Sequence, residues 1–146
     1  MELQDRIERF LSGSPHAVVG ASANREKYGN KVLRAYMKSG RQVFPVHPTA
    51  SEIEGLTGYS TLASLPVSVH GISIITPPEI TEQIVEEAGE LGIVHLWMQP
   101  GAQSARGVAI AKRFGMNLIA GDACLLLAEG LSQLPSTSDP FAEGGV

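Results

Sequence analysis

A three-layer α/β fold around a five-stranded, mainly parallel sheet is predicted by three observations in this 146-residue chain. Short apolar runs alternate with helical patterns at a spacing of roughly 25 residues, the rhythm of successive βαβ units. The runs, Ala17-Val18-Val19 and Ile72-Ser73-Ile74-Ile75 among them, are nearly continuously apolar, as strands covered by helices on both faces must be. The first run ends in Gly20-Ala21-Ser22 and a new helix opens at Gly29-Asn30-Lys31-Val32, a strand–turn–helix sequence. With right-handed crossovers these units wind into a Rossmann-like sheet, for which the expected strand order is 3-2-1-4-5.

Each element has its own justification. Leu3, Ile7, Phe10 and Leu11 form a helical stripe over 2–12, broken by Gly13-Ser14-Pro15. The first strand is 16–21. A helix over 29–39 offers Val32, Leu33, Tyr36 and Met37 to the core and stops at Gly40. The second strand is 42–46, ended by His47-Pro48, and 49–68 is a longer excursion with one helical turn at 61–66. The third strand, 71–76, meets Pro77-Pro78, and the helix 79–91 aligns Ile80, Ile84, Ala88 and Leu91. The fourth strand, 93–98, contains Trp97, expected in the core. A helix over 103–114 ends at Gly115, and the fifth strand is 116–120. Cys124 to Leu131 reads as a last helix, and the Ser-, Pro- and Gly-rich stretch from Ser132 as a flexible tail. Residues 1–131 are therefore expected to form one domain and 132–146 a tail.

Composition removes several function classes. The net charge is −4 and the cations are scattered, which argues against a general nucleic-acid surface. No apolar stretch approaches the ~20 residues of a membrane span, and the N-terminus lacks a signal-peptide layout, so a cytoplasmic location is expected. The single cysteine, Cys124, excludes an internal disulfide or a cysteine zinc site and is expected to behave as a small buried hydrophobe. His16, His70 and His95 lack metal-ligand spacing and read as structural or exposed. No catalytic triad or carboxylate pair can be assembled from spacing.

In a fold of this kind the ligand lies over the C-terminal ends of the strands. Those ends carry Gly20 to Asn30, Val46 to Thr49, Thr76 to Glu79 and Gln99 to Gln103. The loop after the first strand departs from G-x-G-x-x-G. It is longer and holds Arg25, Lys27 and Lys31, which suits a ligand with more phosphate charge than a pyrophosphate. The second strand ends Val46-His47-Pro48-Thr49, with no carboxylate before Glu52 to accept from a free ribose. A phosphorylated ribose fits better. Lys27 reads as a phosphate contact or a solvated charge, Gln99 as a residue facing the crevice, and Pro77-Pro78 as a helix start that also borders it.

The segments Val18-Val19-Gly20-Ala21-Ser22, Val43-Phe44-Pro45-Val46-His47-Pro48, Tyr59-Ser60-Thr61-Leu62-Ala63-Ser64-Leu65-Pro66, Trp97-Met98-Gln99-Pro100-Gly101-Ala102 and Gly121-Asp122-Ala123-Cys124 resemble the stand-alone CoA-binding domain family. That family is similar to the CoA-binding domain of the succinyl-CoA synthetase α subunit, and the resemblance runs from about residue 14 to 130. It implies coenzyme A as ligand, with phosphates and adenosine on Gly20, Ala21, Ser22, Arg25, Gly29 and Asn30, on Val46, His47 and Pro48, and on Thr76, Pro77 and Pro78. The chain departs from the family at His47, where asparagine is commoner, and at Thr49-Ala50-Ser51, where a lysine often stands. The reading is a module that binds CoA or an acyl-CoA without catalytic machinery, alone, as a homo-oligomer or with a protein partner. An NAD(P)-dependent oxidoreductase and an interaction subunit with a decayed nucleotide site remain as alternatives.

Overall fold

The computed structural model describes residues 2–121; the expected last helix, Cys124 and the tail lie outside them. The chain runs α1 (Leu3–Leu11), β1 (His16–Val19), α2 (Tyr28–Lys38), β2 (Val43–Val46), a hairpin of β3 (Glu52–Ile53) and β4 (Leu56–Thr57), a 3-10 turn (Leu62–Ser64), β5 (Gly71–Ile74), α3 (Pro78–Glu90), β6 (His95–Met98), α4 (Ala105–Arg113) and β7 (Asn117–Ile119). All five sheet strands pair in parallel.

Alternate side chains of each strand enter different layers. Ala17, Val19, Ile72, Ile74, Leu96 and Met98 pack with Val85 and Ala88 of α3 and Ile110 and Ala111 of α4. Val18, Trp97 and Ile119 pack on the other face with Phe10 of α1 and Val32, Leu33 and Tyr36 of α2. Phe10 meets Trp97 edge-to-face at 5.3 Å, and both are fully buried. This is the three-layer α/β fold expected, and Trp97 is in its core.

Three expectations are corrected. The strand order is β2-β1-β5-β6-β7, which is 2-1-3-4-5 in the order of the five predicted strands rather than 3-2-1-4-5. The reason lies in β2. Its Gln42 and Val46 carbonyls accept from the His16 and Gly20 amides, so alternation turns the position of Pro45's missing N–H to the outer side. A central second strand would have lost a ladder bond there; an edge strand loses none. Second, the excursion after β2 contains a hairpin. Glu54 (φ 52°) and Gly55 (φ 81°) form its two-residue turn, the positive-φ pair of a type I′ hairpin. Third, the buried face of α3 is Thr81, Val85 and Ala88, while Ile80 and Leu91 are 41% and 47% exposed. Thr81 occupies a core position because its hydroxyl is satisfied locally, by Thr76 Oγ1 at 2.7 Å and the Pro77 carbonyl at 3.2 Å. In α1 the stripe is likewise buried only at its C-terminal end, with Leu3 exposed.

The corrected order moves the switch point. Strand order reverses between β1 and β5, so the crevice opens between the loop after β1 and the loop after β5.

Candidate functional site

The site is built around the turn that follows β1. Gly20 has φ +96°, and a Cβ there would come inside 3.0 Å of the Ile75 carbonyl oxygen. Its own amide donates to Val46 O at 3.2 Å. A Cβ on Gly29 would in turn fall inside 3.0 Å of the Gly20 carbonyl oxygen. Both glycines are thus required by close backbone approach: they let the first turn of α2 sit directly on the β1 turn, beside the β5 loop. Ala21, buried behind them, continues this packing.

The start of α2 has an anion-binding character. Its N-cap, Lys27, makes no side-chain capping bond, and its first turn holds no acidic residue. The positive end of an 11-residue helix therefore sits beside the β1 turn with lysine at its N-cap and no acidic residue in its own first turn. By contrast, Ser104 caps α4 through its hydroxyl.

Asn30, Arg25 and Ser22 form one network, whose centre is a residue that the sequence did not single out. Glu54, on the β3–β4 turn, accepts from Arg25 Nε at 3.1 Å and Nη2 at 2.8 Å, and from Asn30 Nδ2 at 2.9 Å. Asn30 also donates to the Ser22 carbonyl at 2.9 Å, and its Oδ1 accepts from Arg34 Nε at 2.7 Å. Asn30 is fully buried and wholly engaged, so it positions the loop rather than presenting an amide to a ligand. Hydrogen bonds from Arg25, then from Asn30, hold the Glu54 carboxyl down at about 2. The Arg25 side chain is 68% exposed against 14% for Glu54. The guanidinium is thus at the surface of the loop with its fork occupied by an internal carboxylate.

The other expected residues divide between crevice and scaffold. His47 Nδ1 accepts from the Thr49 and Ala50 amides at 3.1 and 2.9 Å, and its own amide donates to Tyr59 O. That ring nitrogen is committed to shaping the β2 loop; Val46 is buried beneath it and Pro48 exposed beside it. Thr76 pairs with Thr81, while Pro77 is the N-cap of α3 and Pro78 its first residue, so this trio is first of all a helix start. It still borders the crevice, since Thr76 Cγ2 is among the atoms nearest a Cβ built on Gly20. Gln99 is fully buried after β6: its amide donates to Ile74 O at 3.0 Å and its Oε1 accepts from Tyr28 at 3.1 Å. Tyr28, the first residue of α2, was also not foreseen, and it ties the β6 loop to the β1 loop. The structure thus brings together Gly20, Ala21, Gly29 and Thr76, places Lys27 as the N-cap of α2 and Ser22 on Asn30, and holds Asn30, His47 and Gln99 mainly in supporting bonds.

A sequence signal for Glu54 did exist. Ile53-Glu54-Gly55-Leu56 is an apolar pair flanking a turn that ends in glycine, but glutamate stands where Asn or Asp usually announces a type I′ turn. The Glu54–Arg25 partnership spans 29 positions and has no local signature.

Among the described residues no group of three His, Cys, Asp or Glu could hold a metal ion, and no helix is long and apolar enough to cross a membrane. The three histidines outside the β2 loop bond within the scaffold: His16 Nε2 donates to Phe10 O at 2.8 Å, His70 contacts Arg9 O, and His95 meets Asn117. A cavity of about 440 Å³ bounded by Leu62, Leu65, Val67, Val69 and Ile93 lies beside the N-terminal ends of β5 and β6, away from the crevice.

Comparison with known proteins gives a consistent result. The chain is 26% identical, over 95% of its length, to the α subunit of ADP-forming acetate–CoA ligase II of Pyrococcus furiosus, of which it spans 33%. It is 25% identical over 87% of its length to the uncharacterised protein YneT of Bacillus subtilis, covering 94% of that protein. A solved structure of a conserved hypothetical protein of Pyrococcus furiosus matches with a TM-score of 0.72 at 38% identity, over 76% of this chain and 96% of that one. The chain therefore corresponds to one part of a ligase subunit and to nearly all of a small stand-alone protein. The model of the CoA binding domain matches residues 15–129, from the start of β1 through all five strands, and the chain belongs to that family.

Proposed function

We propose that this protein binds coenzyme A or an acyl-CoA in the crevice between the β1 and β5 loops, as a binding or regulatory module without chemistry of its own. The observation that carries the reading is the start of α2: an uncapped, cation-flanked helix end brought onto the switch point by Gly20 and Gly29. A phosphate there meets backbone N–H groups and the helix dipole, with Lys27 beside it, while Ala21, Ser22 and Thr76 leave the approach open. Arg25 reaches the ligand at its adenosine end, and Val46, His47 and Pro48 wall that end on the β2 side. Family membership supports CoA as the nucleotide. The ligase activity named for the Pyrococcus furiosus relative belongs to a subunit of which this chain spans 33%, and is not carried over.

Native mass spectrometry of the freshly purified protein, repeated with CoA, dephospho-CoA and NAD, tests this reading. A CoA-sized mass shift, confirmed by saturable calorimetry, is expected. A shift with NAD alone would favour an oxidoreductase, and no shift with any nucleotide would overturn the proposal.

A further inference from the structure

In doubly wound nucleotide-binding folds the end of the second strand meets the adenosine ribose, and two chemistries are used there. A carboxylate accepts from a ribose hydroxyl, whereas an arginine accommodates a ribose phosphate. This chain lacks the carboxylate at the usual place but supplies one from the hairpin that follows β2. Tyr59, just after that hairpin, returns to β2 through its amide on Pro45 O at 3.0 Å and its carbonyl on the His47 amide at 2.8 Å. That return holds the hairpin beside the β2 end, and its Glu54 closes on Arg25 of the β1 loop. Both chemistries are therefore present together, bound to each other.

We propose that Glu54 is the residue that sets discrimination between 3′-phosphorylated and unphosphorylated adenosine ends of the ligand, by occupying the guanidinium that a ribose phosphate would otherwise engage. This rests on the CoA reading above and deepens it. The bidentate geometry is the one an arginine offers a phosphate, with two parallel N–H donors on two oxygens. A dianionic phosphate arriving at Arg25 must displace the carboxylate or sit against its charge. Glu54 does not withdraw by taking a proton, because Arg25 and Asn30 keep it ionised far below neutral pH. Its turn position fixes it in place: φ at Glu54 is +52°, and Asn30, fully buried, grips the same Oε2 that Arg25 Nε does. The consequence is a protein that treats CoA and dephospho-CoA nearly alike, despite carrying an arginine beside the ribose.

Calorimetry with CoA and with dephospho-CoA, on the unmodified protein, E54Q and the double variant R25Q/E54Q, tests this. The unmodified protein is expected to bind the two ligands within about threefold of each other. E54Q keeps the shape and removes the charge, so its affinity for CoA is expected to rise about five- to tenfold relative to dephospho-CoA, through tighter CoA and not weaker dephospho-CoA. That gain is expected to shrink as salt is raised and to vanish in R25Q/E54Q, which a merely structural role for Glu54 would not produce. Should E54Q fold poorly by thermal melting, Glu54→Gly, which suits the positive φ, takes its place, and the rise in CoA affinity relative to dephospho-CoA is the quantity read. Weaker dephospho-CoA binding by E54Q, with CoA unchanged, would overturn the inference and make Glu54 a ribose-hydroxyl acceptor. Binding of both ligands with no change in any variant would overturn it while leaving the CoA reading intact. Binding of neither ligand by any variant would overturn both.

Discussion

Gly29→Ala pits helix propensity against steric fit. Gly29 is the second residue of α2 with an ordinary helical backbone, so propensity alone favours alanine by up to about 1 kcal/mol, the helix-interior value. The added methyl, however, falls inside 3.0 Å of the Gly20 carbonyl oxygen, and the neighbour is backbone pinned by the β1 ladder. Overpacking against an immovable neighbour costs about 1–3 kcal/mol, and here the upper part of that range applies, because Gly20 is itself wedged against Ile75 O. The net expectation is a loss of about 2 kcal/mol, seen as a fall in Tm of about 5–10 °C for a chain of this size. Gly89→Ala is the control. Its methyl also falls inside 3.0 Å of a neighbour, but that neighbour is the ring of Phe114, 40% exposed and free to rotate away. That variant should match the unmodified protein or exceed it by up to about 1 kcal/mol. Thermal and urea denaturation of the pair, read with CoA calorimetry, decides the matter. Gly29→Ala should also weaken CoA, since relieving the clash moves the β1 turn from the end of α2. Equal stability of the two variants, or a more stable Gly29→Ala protein, would refute the claim that backbone approach dictates glycine in this loop.

Other expectations follow from the same contacts. Phe10→Ala, which removes a fully buried ring packed on Trp97, should cost about 3–5 kcal/mol in urea midpoints; a loss below about 1 kcal/mol would mean that α1 is not part of the cooperative core. Burial lowers the His16 pKa from 6.5 to about 4, so the unfolded chain takes up a proton before the folded one does. Stability is then full above about pH 6.5 and declines toward pH 4 by up to about 3 kcal/mol, levelling below that. Burial lowers His95 too and adds in the same direction. Urea midpoints between neutrality and about pH 4.5, the upper edge of carboxylate titration, should show this slope and lose most of it in His16→Asn. A flat profile in the unmodified protein would contradict the burial of a neutral imidazole.

The parts of this protein legible in its sequence were those written in contiguous residues. Continuous apolar runs gave away the strands, and Gly20, Gly29 and Gly40 marked the turns around α2, because those requirements act within a few residues. The strand order was less accessible, although one signal was present: Pro45, with no N–H to donate, suits an edge strand rather than a centre. The face of α3 was misread because Thr81 counts as polar in any periodicity, and only the fold supplies the Thr76 and Pro77 partners that let it sit in the core. In the loops the residue types were read correctly as polar and cationic, but their division of labour was not. Asn30, His47 and Gln99 spend hydrogen-bonding groups on the protein itself, a commitment visible only once partners such as Tyr28 and the Thr49 amide are in place.

By itself, then, the sequence determined an α/β fold, the glycine turn that joins β1 to α2 and the family to which the chain belongs, because hydrophobic period and glycine placement are local and one-dimensional. Only the tertiary structure decided which two loops form the crevice and what charge Arg25 presents there. Strand order is settled by competition among pairings across the whole sheet, and Glu54 acts across 29 positions of chain through a turn that its own residue type disguises.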